Sequence, residues 1–149
     1  MTDSIEIREM TDNEVDEVCA LEEETFSMPW KKKDFLRMIE DDHMCYLVAM
    51  LDGSVIAGAG IREIAGDIEI TNVAVKEKYR KHGYGTKLLD AVIEKGREMG
   101  GLAYTLEVRK SNKAAIALYE KAGFKTEGVR KDFYEKPVED GLIMWKRIY

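Results

Sequence analysis

The sequence predicts a mixed α/β fold in which one sheet of about seven strands has helices on both of its faces. Three observations indicate this class. The 149-residue chain is 45% apolar, which is enough to bury the core of a single domain spanning residues 1–149. Its middle part alternates apolar segments with tight turns, as antiparallel strands do. A strand, a 17-residue helix and a second strand follow between Ile68 and Arg109, so those two strands should lie parallel.

The N-terminal part of the chain predicts a strand and then two helices. Residues 4–9 alternate in the manner of a strand. Thr11 and Glu14 form the T-x-x-E pattern of a capping box, which predicts that a helix begins there. Pro29 interrupts the helical pattern and is expected to begin the second helix. The apolar faces are Val15, Val18 and Cys19 in the first helix and Phe35, Met38 and Ile39 in the second.

The next part of the chain predicts an antiparallel meander of three strands. The first strand covers residues 45–51, and Asp52-Gly53 provides the positive φ angles that a tight hairpin needs. The return strand covers residues 54–64. Gly66-Asp67 then predicts a second turn, and residues 68–75 the third strand.

Residues 83–99 have the clearest helical pattern in the chain. Gly100-Gly101 ends this helix, and residues 103–109 form the strand that follows it. The face of the helix that turns toward the core is predicted to contain Leu88, Leu89, Val92, Ile93 and Gly96.

The C-terminal part predicts one more helix and a closing hairpin. The helix covers residues 112–122 and ends at Gly123. The hairpin strands cover residues 125–134 and 140–148. No repeat, low-complexity segment or Pro/Gly/Ser-rich linker divides the chain, which favours one domain.

The charge and hydropathy of the chain argue against several classes of partner. A net charge of −6 and a pI near 5.1 argue against broad nucleic-acid binding, which relies on spread cationic charge. Residues 1–10 lack the basic and apolar regions of a signal peptide. The longest apolar run, residues 44–51, is much shorter than the roughly 20 residues that cross a membrane. We therefore expect a cytoplasmic protein that binds neither nucleic acid nor membrane.

The cysteines and histidines do not indicate a metal site. Cys19 and Cys45 form no CxxC motif and have no zinc-like spacing, which favours two reduced, partly buried thiols. His43 and His82 are too few for a histidine-rich metal site. We therefore expect no bound metal.

A glycine-containing segment, Arg80-Lys81-His82-Gly83-Tyr84-Gly85, joins a predicted strand to the helix at 83–99. Glycine allows the backbone to approach a ligand, and free N–H groups at a helix N-terminus bind phosphate oxygens. The pattern by itself also fits a plain glycine-containing turn. Two nucleotide-binding motifs are excluded, because no G-x-x-x-x-G-K-[ST] is present and Leu88 stands where a dinucleotide motif needs its third glycine.

Glu107, in Leu106-Glu107-Val108-Arg109, is a candidate general base. A strand that follows a crossover helix is usually central in its sheet and covered on both faces. Desolvation there raises the pKa of a carboxyl group toward neutrality, which suits a general base. The same residues are equally consistent with an ion pair between Glu107 and Arg109 near the strand end.

The segment Asn112-x-x-Ala115-x-x-Leu118-Tyr119 begins the last predicted helix. Asn112 is well placed as its N-cap. Ala115, Leu118 and Ala122 form an apolar stripe. Tyr119 flanks that stripe, a position where tyrosine more often packs than catalyses.

Taken in this order, the segments resemble the GNAT superfamily, and within it the ribosomal-protein-alanine N-acetyltransferases of the RimI type. The resemblance extends over nearly the whole chain. Its most specific part is the string L-E-V-R-x-S-N at residues 106–112, followed by Leu118-Tyr119 and Gly123-Phe124. Asn72-Val73-Ala74-Val75 and the glycine-containing segment precede it in the same order. Phe26-x-x-Pro29-Trp30 resembles the N-terminal signature of this group, and Tyr134, Glu139-Asp140 and Met144 resemble its C-terminal signature.

The resemblance implies an acetyl-CoA-dependent N-acetyltransferase, in which the two parallel strands splay apart to admit the cofactor. Glu107 would be the base, acting through water, and Tyr119 would protonate the departing thiolate. Backbone groups of Val73, Ala74 and Val75 would hold the pantetheine arm and polarise the acetyl carbonyl. Asn112 would also contact the cofactor. The loop around the pyrophosphate would consist of Arg80, Lys81, His82, Gly83, Tyr84, Gly85 and Thr86.

The chain departs from the family pattern at two places. Glu77 stands where relatives often have proline, which leaves the entry to the loop less rigid. Lys31-Lys32-Lys33 is unusual after Trp30, and is expected to be either a solvated face or a contact to the substrate or the cofactor's phosphates.

The resemblance also implies the substrate. Phe26, Trp30 and Tyr134 would bind a protein N-terminus, typically the N-terminal alanine of a small-subunit ribosomal protein. One alternative is an acetyltransferase for lysine side chains or small amines. Another is a non-catalytic acyl-CoA-binding module, against which the presence of both Glu107 and Tyr119 argues. We expect a monomer or a weak dimer.

Overall fold

Seven strands form one mixed sheet in the computed structural model, which describes residues 4–148. The order across the sheet is β1-β2-β3-β4-β5-β7-β6. Neighbouring strands are antiparallel except β4 and β5, which are parallel as predicted. Residues 1–3 and 149 of the predicted domain lie outside the described part. The strands are β1 Glu6–Glu9, β2 Met44–Leu51, β3 Ser54–Ile64, β4 Asp67–Val75, β5 Ala103–Arg109, β6 Lys125–Tyr134 and β7 Glu139–Arg147.

Four α-helices accompany the sheet within residues 4–148. None of them is long and apolar enough to cross a membrane. Short 3₁₀ turns at Asp12–Glu14 and Glu77–Tyr79 precede the first and third helices. The helices are α1 Val15–Thr25, α2 Lys32–Glu40, α3 Tyr84–Glu98 and α4 Lys113–Lys121.

The start of α1 confirms the predicted capping box. The Glu14 carboxylate accepts a 2.8 Å hydrogen bond from the Thr11 backbone N–H, and the Thr11 hydroxyl accepts one from the N–H of Asn13. Such a cap stabilises a helix start by about 1 kcal/mol. The box opens the 3₁₀ turn that leads directly into α1.

The prediction for the start of α2 is wrong. The helix begins at Lys32, three residues after Pro29, because the Asp34 carboxylate accepts the Lys31 backbone N–H at 2.9 Å and so caps it there. Ile39 is 37% exposed and does not belong to the buried stripe, whereas Phe35 and Met38 do.

Of the two predicted turns of the meander, the first is confirmed and the second is shifted. Asp52 and Gly53 have φ angles of 51° and 80°, which confirms the first hairpin. The second turn uses Ala65 and Gly66, with φ angles of 50° and 92°. Asp67 is already the first residue of β4, so the predicted turn at Gly66-Asp67 is shifted by one residue.

The sheet separates two apolar cores, which confirms that helices cover both of its faces. Burying one large apolar side chain stabilises the fold by about 1.5–3 kcal/mol. The helices on each face of the sheet bury several such side chains. Helices α3 and α4 contribute to one core, and α1 and α2 to the other. Both cysteines are free, Cys45 buried and Cys19 half-buried, as predicted. In β2, Cys45, Leu47, Ala49 and Leu51 belong to the first core, and Tyr46 and Val48 to the second.

Candidate active site

A cleft opens where the two parallel strands part. β4 and β5 pair from Asp67 with Ala103 to Ile70 with Leu106, and no further. Both strands continue, β4 to Val75 and β5 to Arg109. A cavity of about 640 Å³ lies at this point, and residues 70–73 and 106–109 line it on the two sides. The structure therefore shows the splayed strands that the resemblance implied.

A β-bulge turns the backbone of β4 at the mouth of this cleft. Ile61 of β3 pairs with Ile70, but its neighbour Gly60 pairs with Asn72, so Thr71 is an extra residue in β4. Such a bulge bends the strand that contains it. The bend begins at the last residue that still pairs with β5.

The bulge also decides which backbone groups face the cleft. The N–H of Lys76 donates to the carbonyl of Ile56 in β3 at 2.9 Å. Because N–H directions alternate along a strand, the N–H of Ala74 also points to β3. The N–H groups of Val73 and Val75 therefore point away from β3, toward the side from which β5 has parted, and of the two residues Val73 lines the cavity. Two of the three predicted backbone contacts are thus available to a ligand, and Ala74 is not.

The cavity passes through the sheet from one face to the other. Glu107 and Arg109 alternate along β5 with Leu106 and Val108, which pack in the core under α3 and α4. Glu107 thus faces the α1 side, whereas Tyr119 belongs to the α3 and α4 side. Both nevertheless line the one cavity. Of the residues predicted for the site, the cavity brings together Phe26, Trp30, Val73, Glu107, Asn112, Tyr119 and Tyr134.

Glu107 has one paired and one unpaired carboxylate oxygen. Its Oε1 lies 3.2 Å from Nε of Arg130, a residue of β6. Its Oε2 is buried and has no hydrogen-bond partner within residues 4–148. Burial raises the pKa of Glu107, Arg130 lowers it and Glu69 raises it further. The alternative pair with Arg109 is wrong, because Arg109 pairs with Glu139 at 3.3 Å.

Tyr119 is buried, and no group of the described chain hydrogen-bonds its hydroxyl. The residue is 7% exposed, and its ring lies 5.9 Å from that of Phe124. Burial raises the pKa of Tyr119, and the neighbouring Tyr134 raises it further. Burial also raises the pKa of Tyr134 to about 12. Both phenols are therefore protonated at neutral pH, and Tyr119 has a proton to donate.

The glycine-containing loop forms the start of α3, next to the cleft but outside the lining of the cavity. Gly83 is the N-cap with a φ of 83°, and no side chain caps the helix. The first intrahelical bond runs from the N–H of Lys87 to the carbonyl of Gly83. The N–H groups of residues 84–86 are therefore left for an anion. Arg80 and Lys81 are exposed beside them.

Two side chains of this loop pack on the protein. Tyr84 is 8% exposed and belongs to the core, so it offers a ligand only its backbone. The ring of His82 stacks on that of Tyr84, with 6.0 Å between their centroids. The Arg80 Nε donates to the carbonyl of Val75 at 2.9 Å, which ties the loop to the end of β4.

Asn112 is the N-cap of α4, as predicted, and its Oδ1 accepts the N–H of Ala115 at 3.2 Å. It also lines the cavity. The lysines at 31–33 do not line it, and Lys32 pairs with Asp16 at 3.0 Å. No group of three metal-ligating side chains occurs in the described residues.

Arg109 joins two loops at one end of the cavity. Its guanidinium donates to the Ser27 hydroxyl at 3.2 Å and to the carbonyls of Glu135 and Pro137 at 2.8 and 2.9 Å. It also lies over the ring of Tyr134, 4.6 Å from the centroid. Ser27 follows α1, and Glu135 and Pro137 lie between β6 and β7. We call this set of contacts the Arg109 clasp.

Sequence patterns do not reveal three residues of this site. Arg130 lies on an edge strand, where a charged residue is ordinary. Because Arg109 lies close to Glu107 in sequence, the sequence suggests an ion pair between them and does not indicate the contacts of Arg109 with distant loops. Glu22 stands in a run of three glutamates, but it lies four residues after Val18, on the buried face of α1. That helical spacing is the one signal that points to a buried carboxylate there.

The chain is similar to known proteins both in sequence and in structure. Residues 15–124 match the Acetyltransferase (GNAT) family. A Bacillus subtilis (strain 168) protein, provisionally named a ribosomal protein bS18-alanine N-acetyltransferase, is 36% identical over 143 residues, 95% of each chain. The Escherichia coli (strain K12) ribosomal protein bS18-alanine N-acetyltransferase is 31% identical over 121 residues, 81% of this chain and 80% of that protein. The crystal structure of the ribosomal-protein-S18-alanine N-acetyltransferase from Escherichia coli superposes with a TM-score of 0.88 at 28% identity, covering 97% of this chain and 94% of that one.

Proposed function

The chain belongs to the GNAT acetyltransferase family and is an N-acetyltransferase, and from that premise we propose that it acetylates protein N-termini with acetyl-CoA as donor. The substrate we infer is the N-terminal alanine of a small-subunit ribosomal protein in the cytoplasm. The observation that supports this most is the cavity that joins Glu107 and Tyr119 from opposite faces of the sheet. An amine and a thioester can meet there from opposite sides.

The cleft fits the donor in two respects. The N–H groups of Val73 and Val75 point toward the side from which β5 has parted, unpaired with β3. The uncapped N-terminus of α3, with Arg80 and Lys81 beside it, suits the pyrophosphate. Acetyl-CoA, when bound, supplies an acetyl thioester that an amine can attack. The two N–H groups would stabilise the negative charge that develops on its carbonyl oxygen, an effect of about 3 kcal/mol per well-placed donor.

Glu107 would prepare the amine. An amine must lose its proton before it attacks, and the unpaired Oε2 of Glu107 can accept that proton directly or through water. The raised pKa of Glu107 brings its basicity closer to that of the amine. Arg130 holds the other oxygen and so orients the carboxylate.

Tyr119 would complete the transfer. Its raised pKa keeps the phenol protonated, and its hydroxyl has no competing acceptor within the described chain. It can therefore donate its proton to the departing sulfur on the α4 side of the sheet. Holding both substrates in one cavity removes much of the entropic barrier to their reaction.

Two arguments favour an N-terminal amine over a lysine. An α-amino group has a pKa near 8, so about a tenth of it is neutral at pH 7, whereas a lysine near 10.4 is neutral in less than about 0.1% of molecules. One carboxylate acting through water is adequate for the first and poor for the second. The Escherichia coli relative is named a ribosomal protein bS18-alanine N-acetyltransferase and the Bacillus subtilis relative is provisionally named so, which supports the same substrate here.

A peptide that contains both an N-terminal alanine and an internal lysine tests the proposal. We expect acetyl-CoA to add one acetyl group, which fragmentation mass spectrometry places on the α-amine. The same peptide with a blocked N-terminus is the control and should gain no mass. Acetylation of the lysine in both peptides would contradict the N-terminal assignment.

A further inference from the structure

A buried carboxylate lies behind the bulge of β4 and takes no part in the chemistry described above. Glu22 of α1 is 1% exposed. Its Oε1 accepts the Asn72 amide at 2.7 Å, and its Oε2 accepts the Tyr46 hydroxyl at 2.9 Å. Burial raises the pKa of Glu22, against these two hydrogen bonds, which lower it. Burying a carboxyl group is costly unless its oxygens accept hydrogen bonds, and both oxygens of Glu22 do so.

Asn72 links this carboxylate to the bulge. It follows the extra residue, Thr71, whose hydroxyl hydrogen-bonds the Asn72 Oδ1. The amide thus holds Thr71 with its oxygen and Glu22 with its nitrogen. Asn72 also immediately precedes Val73, the first of the two N–H groups that face the cleft. Helix α1 is therefore joined by hydrogen bonds to the backbone that would receive the acetyl carbonyl.

Two glycines of β3 make room for these contacts. A Cβ at Gly60 would lie 2.4 Å from the Asn72 Oδ1 and 2.7 Å from the Thr71 hydroxyl. A Cβ at Gly58 would lie 2.4 Å from the Tyr46 ring. Neither position tolerates a side chain unless the polar partners move. The hydrogen bonds of Glu22 with Asn72 and Tyr46 thus join α1 to β4 and β2 in one arrangement. We call these three residues the Glu22 network.

We propose that Glu22 is a positioning residue that acts through Asn72 to hold the bulged segment of β4, residues 71–75, in the geometry that acetyl transfer requires. The inference rests on the proposed function for its consequence in catalysis. Glu22 lines the cavity on the α1 side, and the role we infer for it is to set the direction of the Val73 and Val75 N–H groups through Asn72 rather than to bind a substrate. A misplacement of about 1 Å at such a site lowers turnover about 100-fold.

Three variants separate positioning from general stability. Glu22→Met keeps the length of the side chain and removes both hydrogen bonds. Glu22→Gln keeps them, because its oxygen accepts from Asn72 and its amide can donate to the Tyr46 oxygen. Glu14→Met is the matched control, since Glu14 is also a buried carboxylate at the start of α1, but its hydrogen bonds come from Arg8 and Thr11 rather than from β4.

We expect Glu22→Met to lower kcat about 100-fold with little change in KM for an alanine-terminal peptide. Glu22→Gln should restore most of the turnover, and Glu14→Met should leave kcat unchanged although it lowers Tm. An unchanged kcat in Glu22→Met would overturn the inference. So would a raised peptide KM with normal kcat, which is the result expected if Glu22 bound the amine itself.

A double-mutant cycle tests the path through Asn72. If Glu22 acts through this residue, Glu22→Met combined with Asn72→Ala should be no slower than Asn72→Ala alone. Additive losses would show that Glu22 acts by another route. If Glu22→Met does not fold, Gly60→Ala is the substitute, because its methyl displaces the Asn72 amide while Glu22 stays intact. A normal kcat in Gly60→Ala would then overturn the proposal.

Hydrogen exchange of the ligand-free protein gives a readout that does not depend on activity. Peptides covering residues 71–76 should exchange faster in Glu22→Met, and should be unchanged in Glu22→Gln and Glu14→Met. If the wild type acetylated no peptide, the proposed function would fail while this measurement still decided whether Glu22 holds the bulge. Equal exchange in all four proteins would overturn the positioning role.

Discussion

Glu107 and Tyr119 reach the same cavity from opposite faces of the sheet, and their surroundings differ in a way that suits different roles. Glu107 keeps one oxygen buried and unpaired beside Arg130. Tyr119 is a protonated phenol with no acceptor in the described chain. A carboxylate that can take a proton and a phenol that can give one thus lie on either side of the parted strands.

Replacing Tyr119 with phenylalanine should lower kcat by about 100-fold or more, the usual contribution of a general acid. Acetyl-CoA affinity should stay nearly intact, because the ring and its packing on Phe124 remain. Assays of thiol release measure kcat, and calorimetry measures the affinity for acetyl-CoA. Tyr104→Phe is the matched control, since it removes a buried hydroxyl bonded to the Ile93 carbonyl, outside the cavity. Equal turnover in Tyr119→Phe and wild type would remove the phenol from the mechanism.

Glu107→Gln should change the dependence of the rate on pH. A base works only when it is deprotonated, so the wild type gains its advantage above the raised pKa of Glu107. Above the amine pKa of about 8 the substrate loses its proton unaided, and the advantage shrinks. The ratio of wild-type to variant kcat/KM should therefore be largest between these two pKa values. A ratio that does not vary with pH would count against Glu107 as the base.

At the scale of elements, the Arg109 clasp ties the segment after α1 to the segment between β6 and β7. One guanidinium holds a hydroxyl of the first and two carbonyls of the second, and it covers the ring of Tyr134. Planar guanidinium groups suit such multiple contacts better than a lysine ammonium does. Both segments line the cavity, so the clasp sets how closely they approach each other at its end.

Arg109→Met should loosen that end of the cavity. We expect KM for an alanine-terminal peptide to rise, and the share of acetyl groups found on an internal lysine of that peptide to increase. Product mapping by mass spectrometry measures the second quantity. Arg97→Met is the control, because Arg97 pairs with Glu94 on the exposed side of α3. An unaltered product ratio and KM would show that the clasp has no influence on substrate choice.

At the scale of the whole molecule, local patterns are sufficient for most of the fold. β3, β5 and β6 begin and end where alternation and turn residues predict them, and the crossover between residues 68 and 109 predicts the parallel pair. Such features depend on residues close together in sequence. The start of α2 is missed because a side chain, Asp34, decides it rather than the preceding proline.

The parts that sequence reasoning does not reach depend on contacts between distant segments. The bulge at Thr71 depends on how β3 and β4 pair, and nothing in Thr71-Asn72 alone marks it. Arg130 lies 23 positions after Glu107 and meets it only because β7 places β6 beside the cavity. The Glu22 network joins α1, β2 and β4. The family motif predicts Glu107 and Tyr119 as site residues, whereas the contacts that Arg130, Arg109 and Glu22 make are seen only in the fold.

A crystal structure of the protein with bound acetyl-CoA tests the central claim most directly, which is that the thioester lies between the parted strands β4 and β5. We expect the acetyl oxygen within hydrogen-bonding distance of the Val73 or Val75 N–H, the sulfur beside the Tyr119 hydroxyl, and the pyrophosphate at the start of α3. A cofactor bound elsewhere, with the cleft closed by side chains, would contradict the account.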